Sequence, residues 1–285
     1  MGPKNQGYIQ LFIYSVLAGC IGIFVKLTHG MGAFEVLFFR AGIAAISILL
    51  FIIVQRRFSE ISPVDAPRTL LIIAMQGLNL GLYFWALQYI SVSNAVFLLY
   101  TAPVFSAILA RVFLNEKIEK DTLIGIAAAI AGIVLIVNPS TISFGSEQLL
   151  GNLLGLGAGF FYAAMAVAAK PLLQKVSGYY MVFWQYFGIA MACAFSLTPS
   201  TFAAAAVNWW QLLGLGVLCT AIGYVLFMNG IRVVKAQHVF IITSSETIVA
   251  TALGALILNE IPSWLALAGA ALILYGAYRI TRKSR

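Results

Sequence analysis

The sequence predicts an all-α integral membrane protein: ten transmembrane helices arranged as two inverted five-helix repeats around a central cavity. Three observations carry this. The chain is 62% hydrophobic and only 9% charged, against roughly 25% charged in a soluble domain, and its mean hydropathy is +0.98. Its apolar residues run in stretches of about 20, enough helix to cross about 30 Å of hydrocarbon. Finally, Leu114-Asn115-Glu116, Gly125 and Gly132 recur as Leu258-Asn259-Glu260, Gly269 and Gly276, each 144 positions later. The same ungapped offset relates Gly7 to Gly151 and Lys26 to Lys170.

A register held over that distance indicates duplication of about half the chain, with residues 1–141 as the first copy and 145–285 as the second. The unit is too long for a solenoid repeat. Apolar runs place the ten spans at 8–28, 33–54, 68–89, 93–114, 121–138, 149–171, 178–198, 208–230, 236–258 and 263–281. Turn chemistry or charge breaks them at Gly30-Met31-Gly32, Gln55-Arg56-Arg57, Ser62-Pro63, Asn138-Pro139-Ser140, Thr198-Pro199-Ser200 and Ile261-Pro262. The first span, Tyr8 to Thr28, is too long for a signal-peptide core and lacks a small-residue cleavage site after it. Met1-Gly2 opens like a myristoylation signal, but Gln6 stands where Ser or Thr is required. Five spans per copy is an odd number, so the second copy enters the membrane upside down. That inverted pair, with a path between its halves, is typical of secondary transporters.

Lys and Arg set the orientation. With both termini in the cytoplasm, every basic residue except Lys26 and Arg40 falls in a cytoplasmic segment or an adjoining helix end, and the five outer connections carry none. The net charge of +8 then meets anionic membrane lipid. A nucleic-acid partner is excluded, since no folded domain outside the membrane carries a basic patch. Cys20, Cys193 and Cys219 lie far apart in apolar runs, with neither disulfide nor metal spacing.

Polar side chains deep in a span need protein or water beside them. The third span carries Gln76, Asn79 and Tyr83 on one helical face, and the fourth carries Asn94, Phe97 and Thr101 with Tyr100 beside them. Tyr162 lies near the middle of the sixth span. Thr220, Tyr224 and Met228 form a stripe in the eighth, and the ninth contains Thr243-Ser244-Ser245-Glu246-Thr247. These stripes are expected to converge on a water-filled, aromatic-walled cavity. Asn79, Tyr83, Tyr100, Thr101, Tyr162, Tyr224, Ser244, Ser245 and Glu246 are the candidate substrate-binding residues. The competing reading is interhelical hydrogen bonding, which holds membrane helices together. Glu246 is the sharpest of the set, a carboxyl at mid-span that is able to bind a substrate ammonium or to take up and release a proton.

Other features read as structural. Arg40, five residues after Glu35, is expected to snorkel or to bond carbonyls across helices. Lys26 and Lys170 end equivalent helices as interfacial anchors. Glu116 and Glu260 favour the starts of the helices that follow them. His238, at a helix start, reads as a bystander. Pro103 removes the backbone bond to Leu99 and kinks the fourth span, and its counterpart at the offset is Thr247. Gly151, Gly155 and Gly159, Gly77 and Gly81, and the pairs Gly125/Gly132 and Gly269/Gly276 mark close helix contacts. Trp209, Trp210, Tyr179 and Tyr180 fit interfacial aromatic belts.

No intramembrane-protease serine motif, metal cluster or Walker-type phosphate loop is present, so the sequence implies neither an enzyme nor direct drive by ATP, and no cofactor. The inverted ten-span layout, Lys26, Arg40, Pro103, and the glutamates Glu116 and Glu260 after the fourth-type helices resemble the drug/metabolite transporter superfamily, EamA type. Glu246 matches an acidic residue that members often carry in the ninth span. Where members often have Glu-Pro, this chain has Glu246-Thr247, so no proline supplies a kink there. The aromatic-walled polar face is similar to that of bacterial exporters of aromatic and other neutral amino acids. The resemblance implies a multi-pass exporter of the bacterial inner membrane, driven by proton motive force or by the gradient of its small-molecule substrate, with Glu246 in coupling. Export of cationic drugs or other small metabolites is the alternative, and an intramembrane enzyme or receptor the remote one. The oligomeric state is not readable from these features.

Overall fold

The structure, a computed structural model, describes residues 2–90, 92–137, 148–258 and 263–282. Sequence features at Met1, Asn138-Pro139-Ser140, Asn259, Glu260, Ile261-Pro262, Lys283 and Arg285 lie outside the described residues. The described chain is all-helical: α1 (Pro3–Gly19), α2 (Ile21–Lys26), α3 (Ala33–Val54), α4 (Ala66–Ala86), α5 (Val92–Leu99), α6 (Ala102–Phe113), α7 (Lys120–Val137), α8 (Leu149–Leu172), α9 (Gly178–Cys193), α10 (Pro199–Val207), α11 (Trp209–Leu213), a π-helical stretch (Gly214–Ile222), α12 (Gly223–Val233), α13 (Ala236–Thr243), α14 (Glu246–Leu258) and α15 (Trp264–Arg282). Among the described residues, eight helical runs are long and apolar enough to cross a membrane. A further run, Gly178–Ser196, turns through 120° into α10. That turn puts a helix where the sequence predicts a loop.

Local chemistry explains the starts. The Gly32 N–H donates to Glu35 Oε2 at 2.7 Å, capping α3, and the Ser177 Oγ accepts from the Tyr180 N–H at 3.2 Å, capping α9. Pro199 opens α10, where its missing N–H costs nothing. Two spans break. Pro103 leaves the Leu99 carbonyl without its helical donor, and the chain pauses at Tyr100-Thr101 between α5 and α6. The ninth span breaks at Ser244-Ser245 without any proline. There the hydroxyls of Thr243 and Ser244 bond back to the Phe240 carbonyl, at 3.4 and 2.8 Å. Thr247 Oγ1 takes the Ser244 carbonyl at 2.8 Å, and the backbone tightens to three-residue bonds such as Thr247 N–H to Ser244 O. Hydroxyls competing for carbonyls do the work of the proline. Helix starts repeat with the sequence: α5, α6 and α7 begin at Val92, Ala102 and Lys120, and α13, α14 and α15 at Ala236, Glu246 and Trp264, all 144 positions on.

Helix pairing follows the small residues. α7 lies along α15, α4 along α8, α3 along α9 and α1 along α12. A Cβ on Gly132 would stand 2.5 Å from the Gly269 carbonyl oxygen, and one on Gly159 would stand 2.8 Å from that of Leu98. Backbones meet there, as the sequence predicts. Gly77 and Gly81 behave differently, since a Cβ on either meets nothing within 4 Å. Their stripe has no close partner helix among the described residues. Trp209 and Trp210 are exposed, consistent with an interfacial belt, but Tyr180 is buried, its hydroxyl donating to the Val64 carbonyl at 2.9 Å.

The basic end of the bundle is tied by ion pairs, and it corrects two expectations. Lys170 is not a lipid anchor: its Nζ lies 2.5 Å from Glu116 Oε1 and 2.6 Å from the Val234 carbonyl oxygen. Glu116 does not serve the helix that follows it. Its Oε2 accepts from the Ala236 N–H at 3.0 Å, capping α13 from across the bundle. Lys235–Glu119 and Arg279–Asp121 add two more pairs at this end. Lys170→Met leaves a half-buried carboxylate without its cation, which costs about 3 kcal/mol. We expect the variant to melt several degrees below the parent in detergent, and Lys170→Met combined with Glu116→Gln to regain part of the loss. Equal melting of parent and single variant would make the pair a solvated ornament.

Candidate functional site

The two span breaks meet. Tyr100, the first residue after α5, donates its hydroxyl to Oε1 of Glu246, the residue that opens α14. Around this contact lies a nest of rings. The Tyr14 and Tyr162 hydroxyls are 3.3 Å apart. Tyr224 is edge-on to Tyr14 at 5.4 Å between centroids and edge-on to Tyr186 at 5.1 Å. Tyr162 packs on Phe240 at 4.8 Å. Tyr83 is in electrostatic contact with Glu246. Such edge-to-face arrangements satisfy ring quadrupoles while turning hydroxyls inward. The cluster is drawn from α1, α4, the α5–α6 break, α8, α9, α12, α13 and α14, so its position is set by the packing of both halves.

Of the residues picked from sequence, Tyr83, Tyr100, Tyr162, Tyr224 and Glu246 come together here. Asn79 does not share in the nest by its amide, which donates to the Ala158 carbonyl at 2.9 Å and fastens α4 to α8. The Thr101 hydroxyl returns to the Leu98 carbonyl at 2.6 Å, and Ser244 is likewise committed to the helix break. Ser245 lies at the break with its buried Oγ unpartnered among the described residues. Asn94 bonds Asn152 at 2.8 Å, joining α5 to α8. His238 is buried at the basic end between Tyr8, at 2.9 Å, and Thr122, at 3.2 Å, away from the ring nest.

Sequence reasoning set Arg40 apart as structural, and the structure brings it to the cluster. Arg40 Nε donates to Thr220 Oγ1 at 2.7 Å. The Thr220 hydroxyl proton goes to the Leu215 carbonyl at 2.7 Å, five residues back in the π-helical stretch. The wide turn therefore leaves the Thr220 oxygen free to receive the guanidinium. Tyr14, Tyr186, Tyr224 and the Glu246 carboxyl are all within electrostatic reach of Arg40. No carboxylate lies at ion-pair distance from Arg40 among the described residues. The signal was present: a charge a third of the way into a span is costly, and is functional by default.

Comparison with known proteins gives the following. The model of the EamA-like transporter family matches residues 5–138 and again 149–282. An uncharacterized transporter of Archaeoglobus fulgidus is 29% identical over 274 residues, covering 95% of each chain. The pseudopaline exporter CntI of Pseudomonas aeruginosa is 26% identical over 276 residues, covering 96% of this chain and 94% of its own. Mouse solute carrier family 35 member G1 is 25% identical over 276 residues, covering 92% of this chain and 73% of its own. A solved crystal structure superposes with a TM-score of 0.86 at 17% identity, over 97% of this chain and 96% of that one, which is a likeness of fold alone.

Proposed function

Because the chain belongs to the EamA-like transporter family, matched over both of its halves, we propose that it is a secondary transporter exporting amino acids, aromatic and other neutral ones, across the bacterial inner membrane by alternating access. The observation that carries this is the meeting of Tyr100 and Glu246 at paired helix breaks, one in each half. Broken spans with polar groups at mid-membrane are where transporters of inverted-repeat architecture hold their cargo. In this reading residues 1–141 and 145–285 are inverted five-helix repeats. The tenth crossing helix is α7, and the cavity opens where the tyrosines enclose Glu246. The repeated helix starts and the double family match support the duplication. Export is also what the similar pseudopaline exporter is named for. The alternative, an exporter of cationic drugs or other small metabolites, draws on one feature, the Glu246 carboxyl as a cation site.

Two measurements test this reading. Proteoliposomes loaded with labelled amino acids or organic cations should release the former down an imposed gradient, and release of cations alone would replace the amino-acid reading by its alternative. Reporter fusions after Arg285 and near Ser200 should read cytoplasmic and external respectively, as the basic residues predict. Like signals from both positions would sink the ten-span layout.

A further inference from the structure

We propose that Arg40 and Glu246 are the two poles of one binding site, and that its ligand is a zwitterion: carboxylate on the Arg40 guanidinium, ammonium on the Glu246 carboxylate, body against the tyrosine wall. This rests on the transport reading of the same cluster and narrows its substrate class.

Each pole is half satisfied, and in a complementary sense. The guanidinium spends only Nε on protein, in the bond to Thr220. Its terminal N–H groups have no partner among the described residues. They form the planar fork that matches a carboxylate through two parallel bonds. Thr220 fixes the direction of that fork, because its own proton is held by Leu215. On the other side, Glu246 accepts from Tyr100 through Oε1 alone, and Oε2 has no partner among the described residues. Arg40 reaches the ring nest through Thr220, one helical turn from Tyr224, and Glu246 reaches it through Tyr100, and no ion pair joins the two among the described residues. In a bilayer, isolated charges of this kind are costly unless something completes them. A cation alone would complete Glu246 and be repelled by Arg40, and an anion alone would do the reverse. Only a molecule carrying both charges completes both poles.

The site occurs once. At the 144-residue offset the counterparts of Arg40 and Glu246 are Trp184 and Ala102, so the duplication supplies no second pair. The neighbouring rings, Tyr14, Tyr162 and Tyr224, offer apolar surface to the body of the ligand and negative π-faces to its ammonium.

Three ligands with the same ring separate the possibilities: L-phenylalanine carries both charges, phenethylamine only the ammonium, and 3-phenylpropionate only the carboxylate. Binding of each to the purified protein in nanodiscs is measured by calorimetry, and its movement in proteoliposomes is followed in parallel. L-phenylalanine should bind at least tenfold more tightly than either analogue. Arg40→Met should erase the preference over phenethylamine and keep that over 3-phenylpropionate, and Glu246→Gln should do the opposite. Arg40→Lys, which keeps the charge without the fork, serves where the Met variant fails to fold, and it should retain a reduced preference over phenethylamine. The panel on the parent protein needs no variant. Equal binding of phenethylamine and L-phenylalanine, with L-phenylalanine still transported, overturns the two-pole site and leaves the transport reading standing. Transport of phenethylamine with no binding or movement of L-phenylalanine overturns the amino-acid reading and this site with it.

Discussion

Gly132→Val is expected to abolish recovery of folded protein. The Gly132 Cα faces the backbone of α15 so closely that even a methyl would sit 2.5 Å from the Gly269 carbonyl oxygen and 2.7 Å from Ile273 Cγ1. A carbonyl on a packed helix has no rotamer through which to retreat, so α7 and α15 must separate along their length. Overpacking of this kind costs about 3 kcal/mol or more, and in lipid no hydrophobic force draws the helices back together. Gly269→Val meets the Gly132 carbonyl from the other side and should fail in the same way. The matched control is Gly77→Ala, where the added methyl meets nothing within 4 Å. Removing a mid-helix glycine there should be neutral or favourable by about 0.5–1 kcal/mol. Fluorescence-detected size exclusion of the three variants checks this. A monodisperse Gly132→Val peak at parental yield would mean that the α7–α15 contact is dispensable.

The second large effect concerns Glu246→Gln. Glutamine has the same shape and its carbonyl oxygen still accepts from Tyr100, so the helix break and the ring nest should survive, and the variant should elute like the parent. What disappears is the charge and the exchangeable proton. A charge-assisted bond to a ligand is worth about 1.5–3 kcal/mol, which is about a tenfold to hundredfold loss of transport at fixed substrate. If Glu246 also carries coupling, accumulation driven by a pH gradient vanishes and the pH profile of transport flattens. A pH series in proteoliposomes at equal protein content measures both. An unchanged rate with an unchanged profile would return Glu246 to a role in holding α5 against α14.

Much of this architecture was legible in the chain itself, because hydropathy and small residues act locally. The spans at 33–54 and 236–258 coincide with α3 and with α13–α14. Gly132 and Gly269 read as contact points because only glycine lets backbones approach. What escaped depends on partners distant in sequence. Glu116 sits in a turn before α7, yet it caps α13, 120 residues away. Nothing in its neighbourhood announces Ala236. Lys170 read as an anchor for the same reason. The π-helical stretch at Gly214–Ile222 has no sequence signature in an apolar run, and without it Thr220 reads as helix glue and Arg40 as a snorkel. Glu246-Thr247 lacks the proline that would announce the break at Ser244-Ser245. Consecutive hydroxyls achieve it by another route, through competition for the Phe240 and Ser244 carbonyls.

Opposite charges at Arg40 and Glu246 also fix what voltage is able to do to this molecule. A transmembrane field does work only on net charge moved through it, about 2.3 kcal/mol per charge per 100 mV. With Arg40 cationic and Glu246 anionic, the centre of the bundle sums to zero, and a bound zwitterion leaves that sum unchanged. If the site alternates between the two faces of the membrane, as proposed, that exchange is electrically silent, loaded or empty. A proton on Glu246 breaks the balance and leaves the guanidinium's charge exposed to the field. The current that accompanies turnover thus becomes a direct gauge of whether that one carboxyl travels with its proton.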